Sequence, residues 1–412
     1  MENAFITELK IHKVRHLHDI VIPLSKNTSK HLILTGKNGS GKTSVLNSLV
    51  DFISHIVTFG FPSKDALNNA ISDVNREISI LENSALTQNN SKSRQKLIFE
   101  KLFYDYELQM VTSGVTISFS SLNHFYDKYS SGDYIIAAFK DARTLAVEPV
   151  KNIEKFDLQP IYPIAADLGK DFVKYLVNLK ATQALAYTQN NNKRSSEIQQ
   201  WFDRFTNVLK MLFEDPTLQL DFDIDTFQFH ILMDGREPFD FNTMSMGYSA
   251  VFNIICDLMM RMESKKNYNM EGLVLIDEVE THLHVDLQKK IMPILTELFP
   301  NIQFILTTHS PFVLNSLENA VIYDLEKHLL IENGLANLPY EGIVESYFDV
   351  DTMSKTLSDK FNQYKALLQK SSLTAKEHAE LAELEMYLDE VPDYLALDFA
   401  VEYEQLKLEA GR

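Results

Sequence analysis

The sequence predicts an α/β fold with a central mixed or parallel sheet, interrupted by an inserted helical hairpin and closed by a helical C-terminal tail. Three observations predict it. The apolar run His31–Thr35 ends in a glycine and leads through a loop into a helix, as a buried parallel strand does when it feeds a helix. Two later apolar runs, Leu273–Ile276 and Ile302–Leu306, also end abruptly in polar residues. Between them and the first run, Leu67, Ile71, Val74, Ile78 and Leu81 recur at alternating intervals of four and three, which keeps one stripe on a helix.

Taken in order, Phe5–Ile11 alternates loosely and reads as a strand, joined through Val14–Leu17 to a second strand at Ile20–Leu24. The helix after the glycine-rich loop runs from Ser44 to about Ile56. The stripe from Leu67 to Leu81 is the first arm of the hairpin. Leu86–Gln95, rich in Ser, Asn and Gln, reads as its loop, and Leu97, Ile98, Leu102 and Leu108 serve the second arm. Strand signals return at Val115–Phe119 and Tyr134–Phe139. A helical lobe spans about 171–213, interrupted by the polar tract Gln189–Ser196, and the single tryptophan, Trp201, belongs to its apolar face as core. An apolar helix covers Ala250–Met262, and a strand pair follows around Val321 and Leu330. Acidic helical segments close the chain, the last with a stripe of Leu395, Phe399, Tyr403 and Leu406. The resulting division is 1–62 and 113–340 for the main domain, 63–112 for the insert, and 341–412 for the tail.

At 412 residues the chain is long enough to bury a large core. Its one cysteine, Cys256, excludes an intrachain disulfide and suits a reducing compartment. The start at Met1 lacks the basic and apolar segments of a secretion signal, and no apolar stretch is long enough to span a bilayer, so a cytoplasmic protein without a membrane partner is expected. A formal charge of −18 counts against a surface that coats nucleic acid, whose phosphates need clustered Lys and Arg.

The strongest chemical signal is Gly36-Lys37-Asn38-Gly39-Ser40-Gly41-Lys42-Thr43, a full GxxxxGK[ST] pattern between a strand and a helix. Glycines let such a loop turn its N–H groups onto phosphate oxygens at a helix N-terminus. Gly36, Asn38, Gly39, Ser40, Gly41, Lys42, Thr43 and Ser44 are therefore the candidate nucleotide contacts. Lys42 would neutralise the β- and γ-phosphates, and Thr43 would ligate Mg²⁺. Downstream, Leu273–Ile276 ends in Asp277-Glu278, the Walker B arrangement, with Asp277 as a second metal-holding group and Glu278 as the general base for an attacking water. The run Ile302–Thr308 ends in His309.

The order of these segments resembles that of ABC-type ATPases, in which the histidine contacts the γ-phosphate and the attacking water. Met244-Ser245-Met246-Gly247-Tyr248 is similar to their LSGGQ signature, keeping the serine and the second glycine. The resemblance implies that Ser245 and Gly247 meet the nucleotide of an opposite subunit, so that ATP is sandwiched between two heads. Glu280-Thr281-His282-Leu283-His284 resembles the dimer-contacting loop of RecF-like and OLD-like proteins rather than a zinc site, which would want four ligands. Together with the strand pair before the glycine-rich loop, these motifs resemble the RecF, SMC and OLD group over roughly 1–60 and 130–330. ATPases of the Septu, PARIS and retron anti-phage systems fall in that group.

The resemblance implies a P-loop ABC-type ATPase head using ATP and Mg²⁺, with slow hydrolysis. It implies a homodimer or higher homo-oligomer and a separate effector protein, a nuclease or toxin. A RecF/SMC-like ATPase acting directly on DNA in repair is the alternative, and a transporter subunit a third. Asp349-Val350-Asp351 matches the acidic tripeptide of a TOPRIM nuclease but lacks flanking apolar strands, and reads as a loop or helix-capping acid pair.

Overall fold

A computed structural model of the chain describes residues 3–61, 63–82, 88–141, 143, 150, 152–336, 355–370, 373–389 and 397–409. The chain divides into two units, Met1–Asn337 and Leu338–Arg412. Asp349-Val350-Asp351 and Leu395 lie outside the described residues.

In the first unit, β1 (Ile6–Val14) and β2 (Leu17–Pro23) form an antiparallel hairpin, both longer than their apolar signals because the flanking polar residues also pair. β3 (His31–Thr35) is buried along its whole length, and α1 (Lys42–Phe59) follows it. The hairpin insert is α2 (Lys64–Glu82) and α3 (Gln88–Ser113). The expected loop at 86–95 is shorter than its composition suggests, because α3 already starts at Gln88 and turns Ser93, Arg94 and Gln95 to water. Arg94 reaches back to Glu82 at 2.7 Å across the connection.

β4 (Val115–Phe119) returns to pair with β1, completing a three-stranded antiparallel sheet in the order β2-β1-β4. α4 (Leu122–Ser131) is capped by Ser121 and stopped by Gly132 in a left-handed conformation, and β5 (Tyr134–Phe139) follows.

The helical lobe is α5 (Phe172–Thr188) and α6 (Asn192–Phe213), broken only at residues 189–191, where Asn191 caps α6. Trp201 is core, stacked on Phe205 with centroids 5.5 Å apart, and its indole donates to Glu263 at 2.8 Å. The lobe continues into an antiparallel pair that the sequence did not announce, β6 (Gln219–Asp223) and β7 (Gln228–Leu232). Each is only five residues long, alternating polar and apolar side chains with no long apolar run.

α7 (Met246–Glu263) starts four residues before its apolar run. Its buried Asp257–Arg261 pair, at 2.5 Å, is satisfied in every direction. Asp257 accepts from the Leu168 N–H, and Arg261 donates to the carbonyls of Ile136, Pro163 and Ala166. That network moors α7 to β5.

β8 (Glu271–Ile276), α8 (Val285–Leu298), β9 (Ile302–Thr307), the short α9 (Pro311–Leu314), β10 (Ala320–Asp324) and β11 (Leu329–Ile331) complete the unit. The main sheet runs β11-β10-β3-β9-β8-β5, parallel throughout except for the edge strand β11. The buried amide of Gln303 joins the two sheets, accepting from the Ile6 N–H at 2.7 Å and donating to the carbonyls of Ile6 and Lys30.

The second unit contains α10 (Lys355–Leu368), α11 (Ala375–Asp389) and α12 (Leu397–Glu409), around a core of Phe361, Tyr364, Leu367, Leu381, Leu384, Leu388 and Tyr403. Among the described residues no single helix is long and apolar enough to cross a membrane.

Candidate nucleotide-binding site

Strand order decides where the chemistry gathers. β3, β9 and β8 are consecutive, parallel neighbours, so the segments leaving their C-terminal ends emerge along one edge. β3 delivers the glycine-rich loop, β9 delivers His309, and β8 delivers Asp277 and Glu278. β10 and β5 flank them and bring Asp324 and Arg143.

In the loop, Gly36, Gly39 and Gly41 have φ of 132°, 87° and 100°. A Cβ at Gly41 would stand 2.9 Å from Leu17, so the tip of the β1–β2 hairpin presses on the start of α1. Lys37, Asn38 and Gly39 form the exposed tip. The Ser40 hydroxyl is buried and makes no hydrogen bond among the described residues, a donor turned into the loop without an acceptor.

The Lys42 ammonium is folded back onto the carbonyls of Gly36 and Lys37, at 2.9 and 3.2 Å. Burial draws its pKa below that of an ordinary lysine, while Glu278, Glu280, Asp277 and Asp324 oppose the shift. Thr43, exposed, donates to Asp277 Oδ1 at 3.3 Å, across 234 residues of sequence, and Ser44 is half-buried behind it.

Around the acids the packing is tight. Thr307 donates to Asp277 Oδ1 at 2.6 Å and accepts from the Glu278 N–H at 2.7 Å. Glu278 has φ of 41°, a left-handed conformation disfavoured for a residue with a side chain. The buried Arg143 secures that turn, donating to the carbonyls of Asp277 at 2.9 Å and Glu278 at 2.8 Å. Burial draws its pKa down to about 10, against the pull of Glu280, Asp277, Asp141 and Glu278.

His309 is half-buried. Burial and the nearby Lys42 charge lower its pKa, which keeps the imidazole neutral at pH 7. Glu280 holds its backbone, accepting from the His309 N–H at 2.5 Å and from the Thr308 hydroxyl at 2.8 Å.

The signature-like segment stands differently. Ser245 is the N-cap residue of α7, exposed and without a side-chain cap bond, so its hydroxyl is left to solvent. Gly247 is buried, and a Cβ there would lie 3.0 Å from the His282 carbonyl oxygen. The start of α7 is thus seated on the loop that leaves Asp277 and Glu278. His282 in that loop has φ of 68°, and His284 is exposed beside Asp286 at 3.5 Å.

The arrangement suits a magnesium–triphosphate. It offers a glycine-rich cradle with an unsatisfied hydroxyl, a lysine that can turn outward, and a threonine and an aspartate converging as hard oxygen ligands. Sequence reasoning missed Arg143, the clamp made by Glu280, and the bridging hydroxyl of Thr307. Thr307 and Glu280 stand inside segments already singled out, whereas Arg143 had no local pattern to mark it.

Residues 32–315 match the family described as "AAA domain, putative AbiEii toxin, Type IV TA system". The chain is 24% identical to the Septu protein PtuA of Bacillus mycoides (strain KBAB4), over 93% of this chain and 50% of that protein. It is 28% identical to the retron Vc95 probable ATPase of Vibrio cholerae serotype O1 biovar El Tor, over 49% of this chain and 38% of that protein. It therefore spans half or less of the length of these relatives. The SMC head domain from Thermotoga maritima aligns over 78% of this chain and 94% of its own, at 13% identity and a TM-score of 0.35.

Proposed function

The chain belongs to this AAA-domain family, and from that premise we propose that it is an ATP-hydrolysing switch of the ABC type. ATP draws two heads together, and the closed state controls a separate effector, a nuclease or toxin, in cytoplasmic defence against phage. One observation carries the reading: three adjacent parallel strands bring Lys42, His309 and the Asp277–Glu278 pair to one edge, with the Thr43 hydroxyl 3.3 Å from Asp277. The named relatives, a Septu protein and a retron probable ATPase, support the defence setting.

In this mechanism the loop N–H groups and Lys42 bind the phosphates, the ammonium exchanging the carbonyls of Gly36 and Lys37 for phosphate oxygens. Thr43 and Asp277, whose side chains converge at 3.3 Å, would hold Mg²⁺, which would offset phosphate charge. Glu278 orients a water and takes its proton. Arg143 and Thr307 keep Glu278 in the conformation that aims it. Neutral His309 shares hydrogen bonds with the water and the γ-phosphate. Ser245 and Gly247 of α7 meet the nucleotide of the opposite head, so each site is completed in trans.

Glu278→Gln tests the reading. ATP turnover falls by about 100- to 10,000-fold while ATP binding persists and the closed dimer accumulates. Turnover at the wild-type rate removes Glu278 as the base. For the site in trans, Ser245→Arg and Lys42→Ala proteins are each inactive, and their mixture recovers activity. Co-purification with an effector that survives Lys42→Ala would remove nucleotide control from the proposal.

A further inference from the structure

We propose that the outer face of the α2–α3 hairpin pairs with the same face of a second copy of this chain, without nucleotide. α3 is apolar on two sides. Leu97, Ile98, Tyr104 and Leu108 are half-buried, and Leu97 lines a crevice with Ile80 and Leu81 of α2. These residues supply the apolar face that a hairpin needs. Phe99, Leu102, Phe103 and Tyr106 form another stripe within an arc of about 100° and stand 38% to 73% exposed. Phe59, at the end of α1, extends the stripe, its ring 5.3 Å from that of Phe103. Scattered exposed apolar residues are ordinary, but a contiguous aromatic patch marks an interaction surface.

Two features select a second copy as the occupant. The intervals in the stripe are three, one and three, which read the same from either end. Two copies of α3 lying antiparallel about a two-fold axis between Leu102 and Phe103 would set Phe99 opposite Tyr106 and Leu102 opposite Phe103, a self-complementary contact. The area also fits. At ~200 Å² for each large side chain, the five exposed residues offer roughly 550 Å² per copy. A symmetric pair would bury roughly 1,100 Å² from these side chains alone, close to the ~1,200 Å² at which stable interfaces begin. This contact is separate from the head-to-head closure proposed above and does not depend on it.

Sedimentation velocity of the nucleotide-free chain at ~20 μM decides the matter, a concentration chosen for an interface at the small end of the stable range. The wild type and Lys42→Ala sediment as dimers. Phe99→Asp with Leu102→Asp weakens association at least about 100-fold and leaves the helical content by circular dichroism unchanged, since both positions are exposed within one copy. Phe99→Cys combined with Tyr106→Cys, which sets thiols opposite one another across the axis in a chain whose only other cysteine is buried, crosslinks two copies on mild oxidation without ATP. A monomeric wild type, a dimer untouched by the Phe99→Asp with Leu102→Asp substitution, or failure of the Phe99→Cys with Tyr106→Cys chain to crosslink overturns the proposal. So does a wild type that binds anionic phospholipid vesicles, or holds an unrelated polypeptide in stoichiometric amount, through these same side chains.

Discussion

At the C-terminal edge of the main sheet, charge is buried; along the outer hairpin, apolar surface is left in water. The sheet edge holds Lys42 and Arg143 out of solvent among Asp277, Glu278, Glu280 and Asp324, keeps Glu278 left-handed, and leaves the Ser40 hydroxyl without an acceptor. Among its described residues the hairpin has no such strain, both arms being regular helices, yet Phe99 and Leu102 on α3, with Phe59 beside them, face water. On the two proposals above, a charged ligand would relieve the buried charge and an apolar partner the exposed apolar surface, so the two regions should respond to different perturbations.

The largest separation is expected from Lys42→Ala. Losing two charge-assisted hydrogen bonds to phosphate weakens ATP binding about 1,000-fold, by calorimetry, while nucleotide-free sedimentation is unchanged. If Phe99→Asp with Leu102→Asp also lowers affinity more than a few-fold, the regions are coupled and the comparison fails. Acid gives the next effect. The buried His31 at the start of β3, pushed down to about 4 by burial, accepts the Phe304 N–H at 3.1 Å. The unfolded imidazole takes its proton near pH 6.5 and the folded one only near 4. The folded state therefore has this stability in full above 6.5 and loses roughly 3 kcal/mol as pH falls to 4. His31→Gln flattens that part of a pH–stability profile, and the exposed hairpin substitutions leave it alone.

Arg143→Gln comes third. It loosens the Asp277–Glu278 turn and reduces turnover about tenfold at nearly constant ATP affinity, a loss of ~1.4 kcal/mol. An equal loss in binding would make Arg143 a ligand-binding group instead. Gly247→Ala has the smallest effect on the fold, about 1 kcal/mol from crowding the His282 carbonyl, read by denaturant melting. Its effect on ATP-driven closure should exceed its effect on ATP binding by an isolated head.

Legibility in the sequence followed the physics of each element. The strands of the main sheet were readable because burial on both faces demands uninterrupted apolar runs, as at Leu273–Ile276. The residues of the glycine-rich loop were readable because few other types can adopt its φ angles. β6 and β7 were passed over although Leu220 and Phe222, and Phe229 and Ile231, alternate with polar residues, because five-residue strands open to water on one face carry no long apolar run. Arg143 was not readable, because its task is set by contacts 134 and 135 residues away. The start of α3 was hidden by its composition, because the first residues of a solvated helix look like loop residues.

The placement of β3 has a consequence for synthesis of the chain. Leu32 is paired with Ile305 on one side and Val321 on the other, so the strand that carries the glycine-rich loop emerges from the ribosome long before either neighbour. At 5–20 residues per second, about 15 to 60 s separate the first strand from its partners. A nascent or truncated product thus holds an unpaired apolar segment and an incomplete catalytic edge, while the β1–β2 and α2–α3 hairpins can already close locally. Folding of the core is consequently paced by the synthesis of β9 and β10, and fragments ending before about residue 300 are candidates for chaperone capture rather than partial activity.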